Sequence, residues 1–155
     1  MEKKILDVCC GGKMFWFNKN HPKAIYLAKR VVNKCTIGTA KNARKYECQP
    51  DIQMDFTDLK FSDNSFSLVV FDPPHFTSLG ENSYMAKKYG RLNKNNWKQE
   101  LQKGFQECFR VLIPEGILIF KWCEHDIPLS KVLKLTTYKP LFGQRRPYCV
   151  RFAAG

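Results

Sequence analysis

With 155 residues, 44% of them hydrophobic and 14% aromatic, the chain has enough apolar side chain for one folded core. It is too short for a second core and too apolar for general disorder. Lys and Arg number 26 against 14 Asp and Glu, a formal charge of +12 that argues against a basic partner and for a polyanion such as nucleic acid, DNA or RNA. No apolar run approaches the roughly 18 residues that cross a bilayer, and Ile5-Leu6-Asp7-Val8 behind Met1–Lys4 is too short and too acidic for a signal peptide, so the expectation is a cytoplasmic protein without a membrane partner.

Taken in chain order, strand-like apolar runs fall at residues 4–10, 24–28, 51–54, 67–71 and 116–122. Most are continuous rather than alternating, the pattern of strands buried on both faces of a parallel sheet. Residues 11–22, between the first two, allow a helix of two turns at most. A polar stretch at 77–96, with Gly80 and Gly90 and the basic Lys87, Lys88, Arg91 and Lys94, reads as a long loop, and loops of that length are usually functional or disordered. The clearest helix covers 97–112: Asn96 stands at the N-cap with Gln99 in the capping-box position, and Leu101, Phe105, Cys108, Phe109 and Leu112 trace one face. Pro114-Glu115-Gly116 is expected to stop it and turn the chain into the last run. Strand and crossover repeated in this way predict one α/β domain over residues 1–155, with a mostly parallel central sheet and few, short flanking helices.

Charge and cysteine are unevenly placed. Lys29, Arg30, Lys34, Lys41, Arg44 and Lys45 have no acid among them, and beyond Asp126 the chain carries only basic charges, Lys131, Lys134, Lys139, Arg145, Arg146 and Arg151. The seven cysteines lack a C-x-x-C pair and read as reduced thiols, mostly packed in the core, and no metal site is expected. His21 and His125 stand apart from any metal-like cluster.

In open α/β sheets ligands bind at the carboxyl ends of strands. Three such places carry chemistry. Ile5-Leu6-Asp7-Val8-Cys9-Cys10-Gly11-Gly12 runs from an apolar strand through an acid into a glycine turn. It lacks the G-x-G-x-x-G and lysine-terminated phosphate loops, and a carboxylate there suits a ligand with a positive end, such as an α-ammonium group. An ordinary strand-to-turn junction has the same look. Asp55-Phe56 offers an acceptor for an exocyclic amine beside an apolar cover for a ring, and equally the start of an Asx turn. Phe71-Asp72-Pro73-Pro74-His75-Phe76 is the sharpest signal. Two prolines after the acid make a rigid, extended exit whose carbonyls are unencumbered by their own N–H groups. Asp72 and the Pro73 carbonyl can accept both hydrogens of a planar amine, leaving its lone pair aimed at an electrophile, while His75 or Phe76 stacks on the ring.

These motifs, in this order and ending in Arg110-Val111-Leu112-x-Pro-x-Gly116 and a strand, resemble the class I S-adenosylmethionine-dependent methyltransferases over residues 4–122. The nearest likeness is to small, often phage-borne proteins with Asp-Pro-Pro-His, and more distantly to the amino-methyltransferases of DNA and RNA. The resemblance implies a trimmed Rossmann-like fold with S-adenosylmethionine as cofactor. It implies that Asp7, Cys9 and Gly11 hold the methionine part, that Asp55 and Phe56 hold the adenine, and that Asp72, Pro73, Pro74 and His75 hold the target amine beside the methyl group.

Two departures stand beside it. Cys9 occupies the place of the first glycine of the loop, and Ala28 stands where the second strand is expected to end in an acid gripping the ribose hydroxyls. Cytosine-carbon chemistry needs a cysteine nucleophile after the fourth strand, and Pro73-Pro74-His75 supplies none. The leading reading is therefore methyl transfer to an exocyclic amine of a nucleic-acid base, extruded or single-stranded. The alternatives are a module of the same fold that has lost catalysis and holds nucleic acid or a host protein, and an amide methyltransferase acting on protein glutamine.

Overall fold

The computed structural model describes residues 4–146 and 149–154, with side chains through residue 144. Met1–Lys3 of the amino-terminal reading, and the side chains of Arg145, Arg146 and Arg151 in the basic carboxyl-terminal stretch, lie outside that set.

In chain order the elements are β1 (Ile5–Asp7), β2 (Ala24–Ala28), β3 (Val32–Ile37), β4 (Arg44–Cys48), β5 (Ile52–Gln53), β6 (Phe66–Phe71), α1 (Tyr84–Tyr89), α2 (Trp97–Val111), β7 (Leu112–Trp122), α3 (Leu129–Val132), β8 (Phe142–Arg146) and β9 (Cys149–Ala154). One sheet runs β5-β2-β1-β6-β7-β9-β8. The five strands predicted from apolar runs are its parallel part, and β9 joins β7, and β8 joins β9, antiparallel at one edge. The fold class is as expected.

The register sorts side chains onto two faces. Leu6, Leu27, Val69, Phe71, Leu118, Phe120 and Trp122 pack with α2, whose Leu101, Phe105, Cys108 and Val111 are buried. Burying a side chain of that size contributes roughly 1.5–3 kcal/mol, so this face holds the sheet together. Gly104 is the contact point: a Cβ there would lie 2.7 Å from Phe56 and 2.8 Å from Phe71, so any larger residue would push α2 off the sheet. On the other face Ala24, Tyr26 and Ala28 pack against Ile37, Tyr46 and Cys48.

Three local expectations need correction. Asn96 makes no side-chain cap, because its φ of −132° and ψ of 15° are not those of a capping residue; instead the Glu100 carboxylate accepts from the Asn93 N–H at 3.4 Å. Pro114–Gly116 does not separate helix from strand: β7 begins at once and bulges there, Phe66 pairing with Leu112 and Leu68 with Ile117, with Glu115 at φ 64°. The stretch 77–96 is not all loop, since Ser83 caps α1 through the Ala86 N–H and Asp126 accepts from the backbone and hydroxyls of Thr77 and Ser78. Between β1 and β2 the described residues form no helix, within the two turns the length allows, and the connection from β2 to β5 is a β3–β4 hairpin.

Candidate functional site

The parallel register lines up the carboxyl ends of β1, β2 and β6, since Asp7 pairs with both Tyr26 and Val70. Asp7, the glycine turn, Ala28 and Asp72 therefore meet at one rim, and a cavity of about 1160 Å³ opens there. Every residue assigned from sequence lines it: Asp7, Cys9, Gly11, Asp55, Phe56, Asp72, Pro73, Pro74 and His75. Asp55 and Asp72, 48 and 65 positions from Asp7, are brought to one space with it by strand order.

Asp7 is 2% exposed, and its carboxylate already accepts the Trp16 indole N–H at 2.7 Å and the Cys9 N–H at 3.2 Å. Burial pushes this carboxyl up to about 7, against the two hydrogen bonds that lower it. The group therefore sits near its titration point at neutral pH. Trp16, edge-on to Tyr26 at 5.0 Å, fastens the 11–23 connection over the sheet without a helix. Gly11 has φ +48°, the left-handed region that glycine enters at least cost, and Lys13 two residues on is there too at φ 54°. Cys9 is half-buried; loss of solvent and then the nearby Asp7 push its thiol up and leave it a small apolar wall rather than a reactive group.

The adenine-side pair differs from expectation. Both oxygens of Asp55 are engaged, Oδ1 by the N–H and hydroxyl of Thr57 at 3.0 and 2.9 Å and Oδ2 by Lys29 Nζ at 2.7 Å. Burial works against ionisation, but Lys29 and Thr57 outweigh it and hold the carboxyl below its ordinary range. The Asx turn and the site are thus the same residue. Phe56 is 7% exposed with its ring tilted on Phe71 at 5.4 Å, so one aromatic serves both core and cavity wall. Ala28 does end β2 on the wall, and the next residues are cations, Lys29 and Arg30.

At the third corner Asp72 follows β6 and its Oδ2 accepts from Lys121 Nζ at 2.6 Å. Oδ1 has no hydrogen bond among the described residues. His75 is buried at 6%, wedged against Phe76 at 4.4 Å, Tyr89 at 5.9 Å and Trp122 at 6.1 Å. Burial holds its pKa below the ordinary value, so the ring is neutral, and its Nδ1 is buried with no hydrogen-bond partner among the described residues. Phe76 is packed away against His125 at 5.4 Å and leaves His75 as the ring of the pair that lines the cavity.

Sequence reasoning missed Lys121, Lys29 and Trp16. Lys121 had a signal, a lysine between Phe120 and Trp122 in an otherwise apolar strand. Lys29 and Trp16 had none, since their partners lie 26 and 9 positions away.

No known family profile matches the chain, and no curated protein does. Solved structures do. A Pyrococcus horikoshii protein matches 100% of this chain and 82% of its own at 15% identity, with a TM-score of 0.60. A SAM-dependent methyltransferase of Methanosarcina mazei matches 99% of this chain and 92% of its own at 12% identity, TM-score 0.60. The 1,6-didemethyltoxoflavin-N1-methyltransferase of Burkholderia thailandensis, solved with 1,6-didemethyltoxoflavin and S-adenosylhomocysteine, matches 99% of this chain and 70% of its own at 11% identity, TM-score 0.54. The chain thus has the Rossmann-like fold of the class I methyltransferases. Among the described residues no helix is long and apolar enough to cross a membrane.

Proposed function

We propose that the protein is an S-adenosylmethionine-dependent methyltransferase acting on an exocyclic amine of a nucleic-acid base. One observation carries this reading: the Asp7–Gly11 turn and the Asp72–His75 corner open into the same cavity, whose volume of about 1160 Å³ exceeds the roughly 300–1,000 Å³ of a pocket for one small ligand. Two molecules, a cofactor and a base, suit that space.

The residues present fit the cofactor at its methionine end, where a buried carboxylate and a glycine turn stand together, and fit it less well at the ribose, where Ala28 offers no acceptor. S-adenosylmethionine supplies an electrophilic methyl group on a sulfonium. Asp7 would hold the α-ammonium, Gly11 the close backbone approach, and Phe56 the apolar side of the adenine ring. Adenine amine recognition by Asp55 would require Lys29 to yield its place, and Lys29 is exposed enough to do so.

Asp72 Oδ1 and the Pro73 carbonyl would accept the two hydrogens of the target amine and fix its plane. Lys121 on Oδ2 holds the carboxylate in one orientation, so the acceptor is preorganised before substrate arrives. Pro73 and Pro74 stiffen the exit from β6, and neutral His75 offers a ring face to the base. Direct in-line transfer needs no covalent intermediate, and the phosphates would be held by basic surface.

A radiolabelled methyl-transfer assay on DNA, RNA and protein pools tests this, run with Asp72→Ala. Transfer to nucleic acid that the variant loses by about a hundredfold or more, with cofactor affinity within a few-fold, is the expected result. Transfer to protein alone, or undiminished turnover in the variant, would overturn it. The second reading, a module without catalysis, is favoured by Ala28 and by the engaged Asp55. Calorimetry separates the two: micromolar S-adenosylmethionine binding supports the enzyme, and no heat at millimolar supports the module.

A further inference from the structure

The cations around the cavity fall into two sets. Those on its wall are committed: Lys29 to Asp55, Lys121 to Asp72, Arg30 to the carbonyls of Ala86 and Lys87, Arg91 to Glu81, and Lys88 over the Tyr89 ring. The β3–β4 hairpin carries the other set. Its Lys34, Lys41, Arg44 and Lys45 are all exposed, and among the described residues none makes an ion pair. Glu47 is the one acid between Val32 and Cys48.

The hairpin is also fixed in place relative to the cavity. Ile37, Tyr46 and Cys48 are buried against the sheet, Val32, Tyr46 and Cys48 line the cavity, and Tyr46 Oη donates to the Lys88 carbonyl at 2.7 Å. Alternation then turns Lys45, paired across the ladder with Thr36, to the outside, while Arg44, paired with Ile37, and Lys41 stand exposed at the turn end of the hairpin. A six-residue strand spans roughly 20 Å, the reach of several consecutive phosphates. Because the inner face is buried on the sheet, base edges cannot be read by it.

We infer that the β3–β4 hairpin is a phosphate rail: Lys34, Lys41, Arg44 and Lys45 hold the sugar-phosphate backbone of a nucleic acid, without sequence preference, and so deliver one of its bases to the cavity. The inference rests on the function proposed above and names the surface that holds its substrate. Four exposed, unpaired cations on a rigid ribbon at the cavity's edge complement a polyphosphate.

The test is binding of fluorescent 20-nucleotide single-stranded DNA, duplex DNA and single-stranded RNA from 50 to 300 mM salt. Wild type is compared with K34E/K41E/R44E/K45E and with the milder K34Q/K41Q/R44Q/K45Q, each checked for folding by thermal melting. Loss of four phosphate contacts reduces the slope of log affinity against log salt by about 3, at roughly 0.7–0.9 per contact. That fall, in any of the three nucleic acids and in both variants, supports the rail. An unchanged slope in folded variants, or equally tight binding of polyglutamate to wild type, overturns it. Methyl transfer to a mononucleoside, too short to reach the hairpin, separates the two ideas. A wild type that methylates the nucleoside while the variants bind long strands normally refutes the rail alone. A wild type that binds long strands through the hairpin yet methylates none refutes the proposed function alone.

Discussion

Restoring an acid at the end of β2 is the most direct perturbation of the proposed cofactor site. Ala28 is 7% exposed on the cavity wall, at the strand end where a carboxylate would face the ribose hydroxyls. A hydrogen bond from a hydroxyl to a charged group contributes about 1.5–3 kcal/mol. Ala28→Asp should therefore tighten S-adenosylmethionine by roughly 10- to 150-fold, less what burial of the new charge costs. That cost is limited here because Lys29 and Arg30 lie on the same wall. Calorimetry with S-adenosylmethionine and S-adenosylhomocysteine measures it, with Ala28→Asn as the uncharged control, which should gain less. An analogue lacking both ribose hydroxyls should show no gain. A folded variant that binds no tighter, or whose gain survives in that analogue, would place the ribose elsewhere and refute the reasoning.

Asp7 supplies a pH signature. Its carboxyl is raised from the ordinary 3.8 to about 7, so as pH climbs the unfolded chain releases this proton first; stability from this group is full below about pH 4 and is lost by about pH 7, on the order of 4 kcal/mol. Melting curves of wild type against Asp7→Asn should diverge across that window and run parallel above it. Because an ammonium favours the ionised carboxylate, cofactor affinity should also rise with pH up to about 7 and then level off, and a flat profile would remove Asp7 from that contact. Gly104→Ala forces a methyl into Phe56 and Phe71 and should cost about 1–3 kcal/mol, measured by urea unfolding, with a weaker cofactor site because Phe56 is displaced. Lys121→Met should lower transfer about ten- to hundredfold with cofactor affinity unchanged, and Lys121→Arg should restore most of it. An unaltered rate would mean that Asp72 needs no anchor.

The sequence by itself determined the five parallel strands, because continuous apolar runs are a local property that burial on both faces imposes. It also marked the three chemical corners, since a strand ending in an acid, a glycine turn or a diproline is written in consecutive residues. What only the tertiary structure decided were partnerships between distant residues. Trp16 closes on Asp7, Lys29 on Asp55 and Lys121 on Asp72, and no local pattern encodes a contact that strand order creates. The hairpin in place of a crossover helix belongs to the same class. Its strands are mostly exposed on one side, so Lys34, Thr36 and Lys45 dilute the apolar signal to nothing, and they pair with each other while Ile37, Tyr46 and Cys48 pack against β2. Local sequence specifies which backbone conformations are cheap, whereas long-range burial selects among them.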